Sequence, residues 1–324
     1  MNYTKSDLHK QFWSGQGPCL IFIPPAKMEL YDLNDYEYRF YHPEAMWAHE
    51  MSRAVKVLDW PTDGIPTVRP NLGVVFLPAI AGQTFQIEAN SMPWPGTPLS
   101  REQIRLIDKI SISETDIYAL LDSFYNIHFQ HDESQIAPYV ADTQGVFDIA
   151  HLLYGDEIFY ELIDDSQNGW LEELMEIVTR LYDSVTGMIK KVIGESPDQM
   201  IHGHGTEQGL FFPEAGIRLS EDTATLLSPE MIERLIIPAI RNCVKEPNKG
   251  VFLHYCGLHP TFFDQLTAMP EVKAIDLGNP EMYDLSAVLR RCAETNTVLY
   301  SRIAVEKYEK WRTYTERVVR ELVE

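Results

Sequence analysis

The sequence is poor in cysteine and in positive charge. Its four cysteines among 324 residues are too few for the disulfide framework that holds small secreted proteins together. Only 27 Lys and Arg side chains oppose 48 Asp and Glu side chains, which gives a formal net charge of −21 at pH 7. Because such a surface repels polyanions, we expect neither nucleic acid nor an anionic membrane surface as a partner.

Long hydrophobic runs are also missing. The longest, LGVVFLPAIAG from Leu72, contains a proline and is much shorter than the about 20 residues that a membrane-spanning helix needs. The first residues, MNYTKSDLHKQFWSGQG, are polar and lack the apolar core of a secretory signal peptide. These features predict a cytoplasmic protein with reduced cysteines.

What the sequence does contain is an alternation of short apolar runs with longer amphipathic segments. The runs that predict strands are CLIFI from Cys19, GIPTVRP from Gly64, PYVAD from Pro138, QMIHG from Gln199, VFLHY from Val251, KAIDL from Lys273 and TVLYS from Thr297. Their near-continuous apolar character is typical of strands buried on both faces, as in a parallel sheet. Strands that alternate with helices indicate βαβ units.

The strand count favours an α/β fold of the TIM-type (β/α)8-like barrel class. A doubly wound sheet is the alternative, although no glycine-rich phosphate loop follows the first strand. We expect one domain over residues 1–324, in which residues 1–60 form a helical and aromatic extension around the first strand. One terminal helix follows TVLYS, so the last βα unit of the barrel is expected to be missing or altered.

Two side chains that can bind a metal occur at the end of the VFLHYCG strand. His254 and Cys256 are two residues apart, so they share one face of the strand. At the carboxyl end of a barrel strand that face opens onto the active-site mouth. Imidazole and thiolate suit Zn²⁺, but a catalytic zinc usually has three protein ligands. The alternative is a core histidine beside a small buried cysteine.

Further candidate site residues lie in two other segments. In MIHGHGTEQG, His202 and His204 share one strand face and Glu207 follows, so these groups are candidates for missing ligands or for a general base. The alternative is a polar strand end that bonds to loop backbone. Asp222, in RLSEDTATLLSPE, is a candidate base, metal ligand or support for a ligand histidine. Arg69 and Arg218 are candidates for holding a substrate carboxylate.

Several blocks in this chain, in the same order, resemble the uroporphyrinogen decarboxylase superfamily. They are DGIPTVRPNLGVVFLPAIAGQTF, MPWPGTPL, PYVADTQGVFDIAHLLYGDEIFYELIDD, DTATLLSPEMIERLIIPAI, VFLHYCG and VKAIDLGNPEMYDLSAV. The resemblance extends over residues 63–302 and implies a TIM-type barrel. It also implies one of two chemistries, because the superfamily has two branches.

The first branch is the decarboxylase itself, which is cofactor-free and receives a highly anionic tetrapyrrole on an arginine-rich N-terminal segment. In this chain the corresponding stretch, LIFIPPAKMELYDLNDYEYRFYHPE, holds acids and aromatic residues instead, and Arg39 is its single arginine. The net charge of −21 argues against such a substrate. The chain is therefore more similar to the second branch, zinc-dependent methyltransferases that move a methyl group between a corrinoid protein and a thiol such as coenzyme M.

In that branch the H-x-C motif supplies two zinc ligands, which His254 and Cys256 match. The third is a cysteine in the last βα unit, and Cys292 comes too early to be its equivalent. The resemblance thus leaves three alternatives: His204, Glu207 or another group completes the set of ligands, the metal is weakly bound or absent, or a partner or missing segment supplies the third ligand.

Asp222 and His204 are the catalytic candidates. The expected cofactors are Zn²⁺ and a corrinoid supplied by a partner protein. We also expect a small-molecule substrate and a homodimer through the aromatic N-terminal region. The alternative function is a metal-free decarboxylase-like enzyme or a relative that only binds a small molecule.

Overall fold

The computed structural model describes residues 5–16, 19–22, 33–88, 91–131, 135–164, 169–245, 250–301 and 313. The strands in these parts are β1 Ile65–Val68, β2 Phe85–Gln86, β3 Trp94–Pro95, β4 Ala137–Pro138, β5 Met200–His202, β6 Gln208–Phe212, β7 Ile217–Ser220, β8 Val251–Tyr255, β9 Val272–Leu277 and β10 Val298–Ser301. The α-helices are α1 Ser6–Trp13, α2 Tyr36–Tyr41, α3 Pro43–Ala54, α4 Phe76–Ile80, α5 Arg101–Ile104, α6 Asp116–Gln130, α7 Val146–Tyr154, α8 Glu157–Asp164, α9 Trp170–Ile193, α10 Pro229–Met231, α11 Ile237–Cys243, α12 Pro260–Thr267 and α13 Leu285–Thr295.

The strands form two four-stranded sheets and one short hairpin, β2–β3. The sheet in the order β7–β8–β9–β10 is parallel throughout. The other, in the order β4–β1–β6–β5, has one parallel pair, β1–β4, and two antiparallel pairs. Over the residue ranges given above, no ladder joins the two sheets. The fold is therefore mixed α/β, and its described strands form two separate four-stranded sheets where the sequence predicts one barrel.

The two sheets share one apolar interior. Phe212 on β6 stacks on Phe252 on β8 with ring centroids 4.7 Å apart, and Met200 and Ala274 complete this layer. Because side chains alternate along a strand, the next inward residue of β8 after Phe252 is His254. The apolar layer therefore lies directly beneath a polar layer at the carboxyl ends of the parallel strands.

Amphipathic helices pack with the strands in one apolar core. The longest, α9, is bounded by Gly169 and Gly194, both in the left-handed conformation that glycine adopts without strain. Its first turn carries acids and its last turn carries lysines, which suits the helix dipole. The hydroxyl of Tyr182 on this helix donates a hydrogen bond to the carbonyl of Arg218 on β7, 2.7 Å away. The helix thus fixes the strand that leads to Asp222.

Most of the apolar runs that predict strands coincide with observed ones, namely β1, β5, β8, β9 and β10, whereas the run from Pro138 shares only that residue with β4. Two further strands, β6 and β7, are not among the predicted ones, and Arg218 lies on β7. Residues 19–22 are outside the strands, and the Ile21 N–H instead donates to the Asp63 carboxylate at 2.7 Å.

The predicted terminal helix, from Trp311 onward, lies outside the described residues except for Thr313. No helix in the described ranges has the length and hydropathy of a membrane-spanning segment.

A buried acid makes the stability of this fold depend on pH. Burial raises the pKa of Glu195 from 4.5 to about 7, although Lys190 Nζ lies 3.3 Å from its carboxylate and opposes the shift. Between these two pKa values the folded chain holds a proton that the unfolded chain releases, so stability falls as pH rises. In the wild type this proton lowers the free energy of unfolding as pH rises, and we expect Glu195→Gln to abolish about 2–3 kcal/mol of that decrease.

Urea unfolding at pH 5 and pH 7.5 measures the difference. The amide oxygen of Gln keeps an acceptor for the Ile201 N–H, which is 2.8 Å from Glu195 Oε1. Glu214→Gln, at an exposed acid, serves as the control and keeps the wild-type pH dependence. An unchanged pH dependence in Glu195→Gln would contradict the prediction.

Candidate functional site

His254, at the end of β8, lies between two different sets of polar groups. Its Nδ1 is 2.8 Å from Oδ2 of Asp276, which is its register partner on β9. Its Nε2 is 3.4 Å from Cys256 Sγ and 3.5 Å from Asp222 Oδ1. The side chains of His254 and Asp276 are both 8% exposed, whereas that of Asp222 is 43% exposed. The imidazole therefore connects a buried carboxylate with a solvent-facing thiol and carboxylate.

Cys256 and Asp222 reach this position from loops that follow adjacent strands. Ser220, near the end of β7, is in register with His254, so Asp222 and Cys256 each lie two residues beyond a register pair. The Cys256 N–H donates to Asp222 Oδ1 at 2.6 Å, which ties the two loops together. The ligand atoms of Asp222, His254 and Cys256 all lie within 4.8 Å of one another. One nitrogen, one sulfur and one oxygen donor form a set that Zn²⁺ binds in proteins.

Asp276 determines which nitrogen of His254 carries the proton. Burial opposes ionisation of this carboxyl, but its interactions with His204 and His254 lower its pKa, so it is ionised at neutral pH. An ionised carboxylate only accepts hydrogen bonds, so His254 Nδ1 must donate to it. In the neutral imidazole this leaves the Nε2 lone pair directed towards Cys256 and Asp222. A carboxylate that holds a histidine in this way is the usual support for a metal-ligating imidazole.

His204 also contacts Asp276, but with the opposite tautomer. Its Nδ1 is 3.1 Å from Arg218 Nη2 and its Nε2 is 3.0 Å from Asp276 Oδ2. Because a guanidinium only donates, His204 Nδ1 accepts from Arg218 and Nε2 donates to Asp276. Burial lowers the pKa of His204 and outweighs the contact with Asp276, which raises it, so the ring is neutral at neutral pH. Both nitrogens of His204 are then engaged, and the ring supports Asp276.

The network continues away from the site through an acid between two arginines. Arg218 Nη1 donates to Asp142 Oδ1 at 3.0 Å, and Arg69 Nη2 lies 3.5 Å from the other oxygen. Burial opposes ionisation of Asp142, but the two guanidinium groups outweigh it and lower its pKa to about 2. Both arginines that the sequence suggests for a substrate carboxylate therefore face a carboxylate of the protein itself.

The remaining sequence candidates lie beside this centre. Glu207 is buried and its carboxylate is 3.4 Å from Arg53 Nη2. The described side chains form two clusters of candidate metal ligands, Asp222–His254–Cys256 and His204–His254–Asp276, and Glu207 belongs to neither. His202 is buried beneath the site, where its Nδ1 accepts the His204 N–H at 2.9 Å. Burial lowers the pKa of His202 well below its usual value. His202 thus supports the backbone of His204, which has a φ of 46°.

Sequence reasoning missed Asp276, Asp142 and the role of Gly278. A single acid in the apolar run KAIDLG, directly before a glycine, is the signal that could have indicated Asp276. The glycine is required by the close approach of β9 to the site, because a Cβ at Gly278 would lie 2.5 Å from Cys256 Sγ and 3.1 Å from His254 Cε1. Any larger residue there would displace the two candidate ligands.

Comparisons with known proteins give a likeness in fold. No protein-family model matches the chain, and no curated protein matches its sequence. Among solved structures, a methyltransferase from Methanosarcina mazei is similar, with a TM-score of 0.67 over 99% of this chain and 88% of that chain. The two sequences are 9% identical over this alignment. At that identity, the likeness concerns the fold.

The contacts of the two rings predict opposite tautomers in the metal-free protein. We expect His254 to carry its proton on Nδ1 and His204 to carry it on Nε2 at pH 8. Asp276→Asn should convert His254 to a mixture, because a neutral amide both donates and accepts. Nitrogen-15 NMR of the imidazole rings, assigned with His204→Gln, measures this. Asp264→Asn, at an exposed acid, is the control, and the same tautomer on both wild-type rings would contradict the expectation.

Proposed function

We propose that this protein is a zinc-dependent methyltransferase that moves a methyl group between a corrinoid protein and a small thiol. The observation that carries the proposal is the convergence of His254 Nε2, Cys256 Sγ and Asp222 Oδ1. The fold likeness to a methyltransferase supports the reaction class at a coarse level. The resemblance of the HYC segment to the zinc-binding branch of the superfamily supports the finer statement.

The donor set fits a catalytic zinc better than a structural one. A structural site has four protein ligands, whereas a catalytic site has three and keeps one position open. Cys256 is exposed and Asp222 is partly exposed, so a fourth position would face solvent and substrate. In this proposal Asp222 is the third ligand, the role that the sequence leaves open between His204, Glu207 and another group.

A zinc ion in this site would lower the pKa of a bound thiol, so that the thiolate exists at neutral pH. The residues of the chain provide its geometry. Asp276 keeps the proton on His254 Nδ1, and His204 and Arg218 hold Asp276 in place. In the direction of thiol methylation, the thiol would give its proton to solvent and its sulfur would form a bond to the methyl carbon. The cobalt–carbon bond of the partner's methylated corrinoid would break at the same time and leave its electron pair on cobalt.

Zinc content and methyl transfer test the proposal. Elemental analysis of reduced, tag-free wild type should give about one zinc per chain, and Cys256→Ser and Asp222→Asn should lose most of it. Cys19→Ser, at a half-buried cysteine, is the matched control and keeps the wild-type content. With methylcobalamin and 2-mercaptoethanesulfonate as probes, the visible spectrum should report demethylation in wild type and Cys19→Ser, but not in Cys256→Ser.

Two results would contradict this function. A wild-type protein that takes up no zinc, even after incubation with the metal, would exclude a zinc enzyme. It would favour the alternative of a metal-free decarboxylase-like enzyme or a small-molecule-binding relative. Methyl transfer that persists in Cys256→Ser would show that the thiol group is not needed at this centre.

A further inference from the structure

Two buried acids link the start of α7 to the end of β7 by reciprocal hydrogen bonds. Glu221 accepts the backbone N–H groups of Val146 and Phe147, at 2.8 Å and 3.1 Å, in the first turn of α7. In return, Asp148 on α7 accepts the backbone N–H groups of Asp222 and Thr223, at 2.9 Å and 2.8 Å. Each segment thereby satisfies backbone donors of the other.

This link is tightly packed and excludes water. Glu221 is fully buried and Asp148 is 5% exposed. Gly145, just before α7, approaches β7 so closely that a Cβ there would lie 2.3 Å from the Ser220 carbonyl oxygen. Hydrogen bonds in such a low-dielectric interior are strong and costly to break. The backbone at Asp222 therefore has little freedom to move.

The fixed backbone places the Asp222 side chain at the candidate metal centre. From that backbone only two side-chain torsions separate the main chain from the carboxylate, and its Oδ1 lies 2.6 Å from the Cys256 nitrogen and 3.5 Å from His254 Nε2. A shift of the backbone at Asp222 would change both distances together. Asp222 is thus bonded at its backbone N–H to Asp148 on α7 and at its carboxylate to the Cys256 N–H.

We propose that Asp148 is a positioning residue, which holds the Asp222 backbone so that the Asp222 carboxylate keeps its contacts with Cys256 and His254. The effect of this positioning on zinc affinity rests on the proposed function. Its consequence for the metal-free loops does not, because the Asp222 N–H donates to Asp148 and the Cys256 N–H donates to Asp222, and both bonds join protein atoms only. The competing interpretation is that Asp148 only caps the loop after β7 and has no effect at Cys256.

Asp148→Asn separates these interpretations. The variant keeps the size of the side chain but replaces one acceptor oxygen by an NH₂ group, so one of the two backbone N–H groups loses its partner. Residue-resolved amide hydrogen exchange on the metal-free protein is the first measurement. We expect exchange to accelerate about tenfold or more at Asp222, Thr223 and Cys256, with the amides of α9 unchanged.

Metal binding is the second measurement. If the proposed function holds, the zinc affinity of Asp148→Asn should fall by about 10–100-fold, and the visible spectrum of its Co²⁺ form should differ from that of the wild type. Ser100→Ala removes the cap of α5, far along the chain from these loops, and is the control for a general loss of stability. It should leave the exchange at Cys256 and the Co²⁺ spectrum as in wild type. Asp148→Ser provides the same measurements if Asp148→Asn does not fold.

The exchange data decide the inference whether or not zinc binds. Faster exchange at Cys256 in Asp148→Asn, but not in Ser100→Ala, supports positioning even if the wild type binds no zinc, in which case only the proposed function fails. Faster exchange confined to Asp222 and Thr223 overturns the proposal, because Asp148 then acts as a local cap. In a protein that does bind zinc, wild-type zinc affinity together with unchanged exchange at Cys256 also overturns it.

Discussion

The hydrogen bond between His254 Nδ1 and Asp276 is the interaction on which the candidate centre depends. It keeps the proton on the buried side of the imidazole, which leaves the Nε2 lone pair on the side of Cys256 and Asp222. The carboxylate stays ionised because His204 also donates to it, and His204 is held in the required tautomer by Arg218. The geometry at the solvent-facing thiol is thus determined by groups buried beneath it.

The strand register builds this arrangement. Ser220, His254 and Asp276 are register partners on three adjacent parallel strands, so the loops after β7 and β8 begin at the same level. Beneath them, Phe252 and Ala274 form an apolar layer that excludes water from the lower faces of the rings. Two glycines permit the necessary contacts: Gly278 leaves room for Cys256 Sγ, and Gly145 leaves room for the carbonyl of Ser220. The same packing therefore supports both the fold and the centre.

The sequence predicts the parts of this centre that follow from local spacing. The i, i+2 spacing places His254 and Cys256 on one face, and the apolar runs predict most of the strands. The role of Asp276 depends on the register between β8 and β9, which spacing within one strand does not reveal. His204 has the spacing of a metal ligand, but only the position of Arg218 shows that its second nitrogen is engaged. The links from Asp148 to Asp222 join residues more than 70 positions apart and have no signature in either segment.

X-ray absorption at the zinc edge of the metal-loaded wild type tests the central claim most directly. If His254, Cys256 and Asp222 form the centre, the spectrum should show one sulfur at about 2.3 Å and nitrogen or oxygen ligands at about 2.0–2.1 Å. In Cys256→Ser the sulfur contribution should disappear. A wild-type spectrum without a sulfur ligand, or with two sulfur ligands from the protein, would contradict the proposed set of ligands.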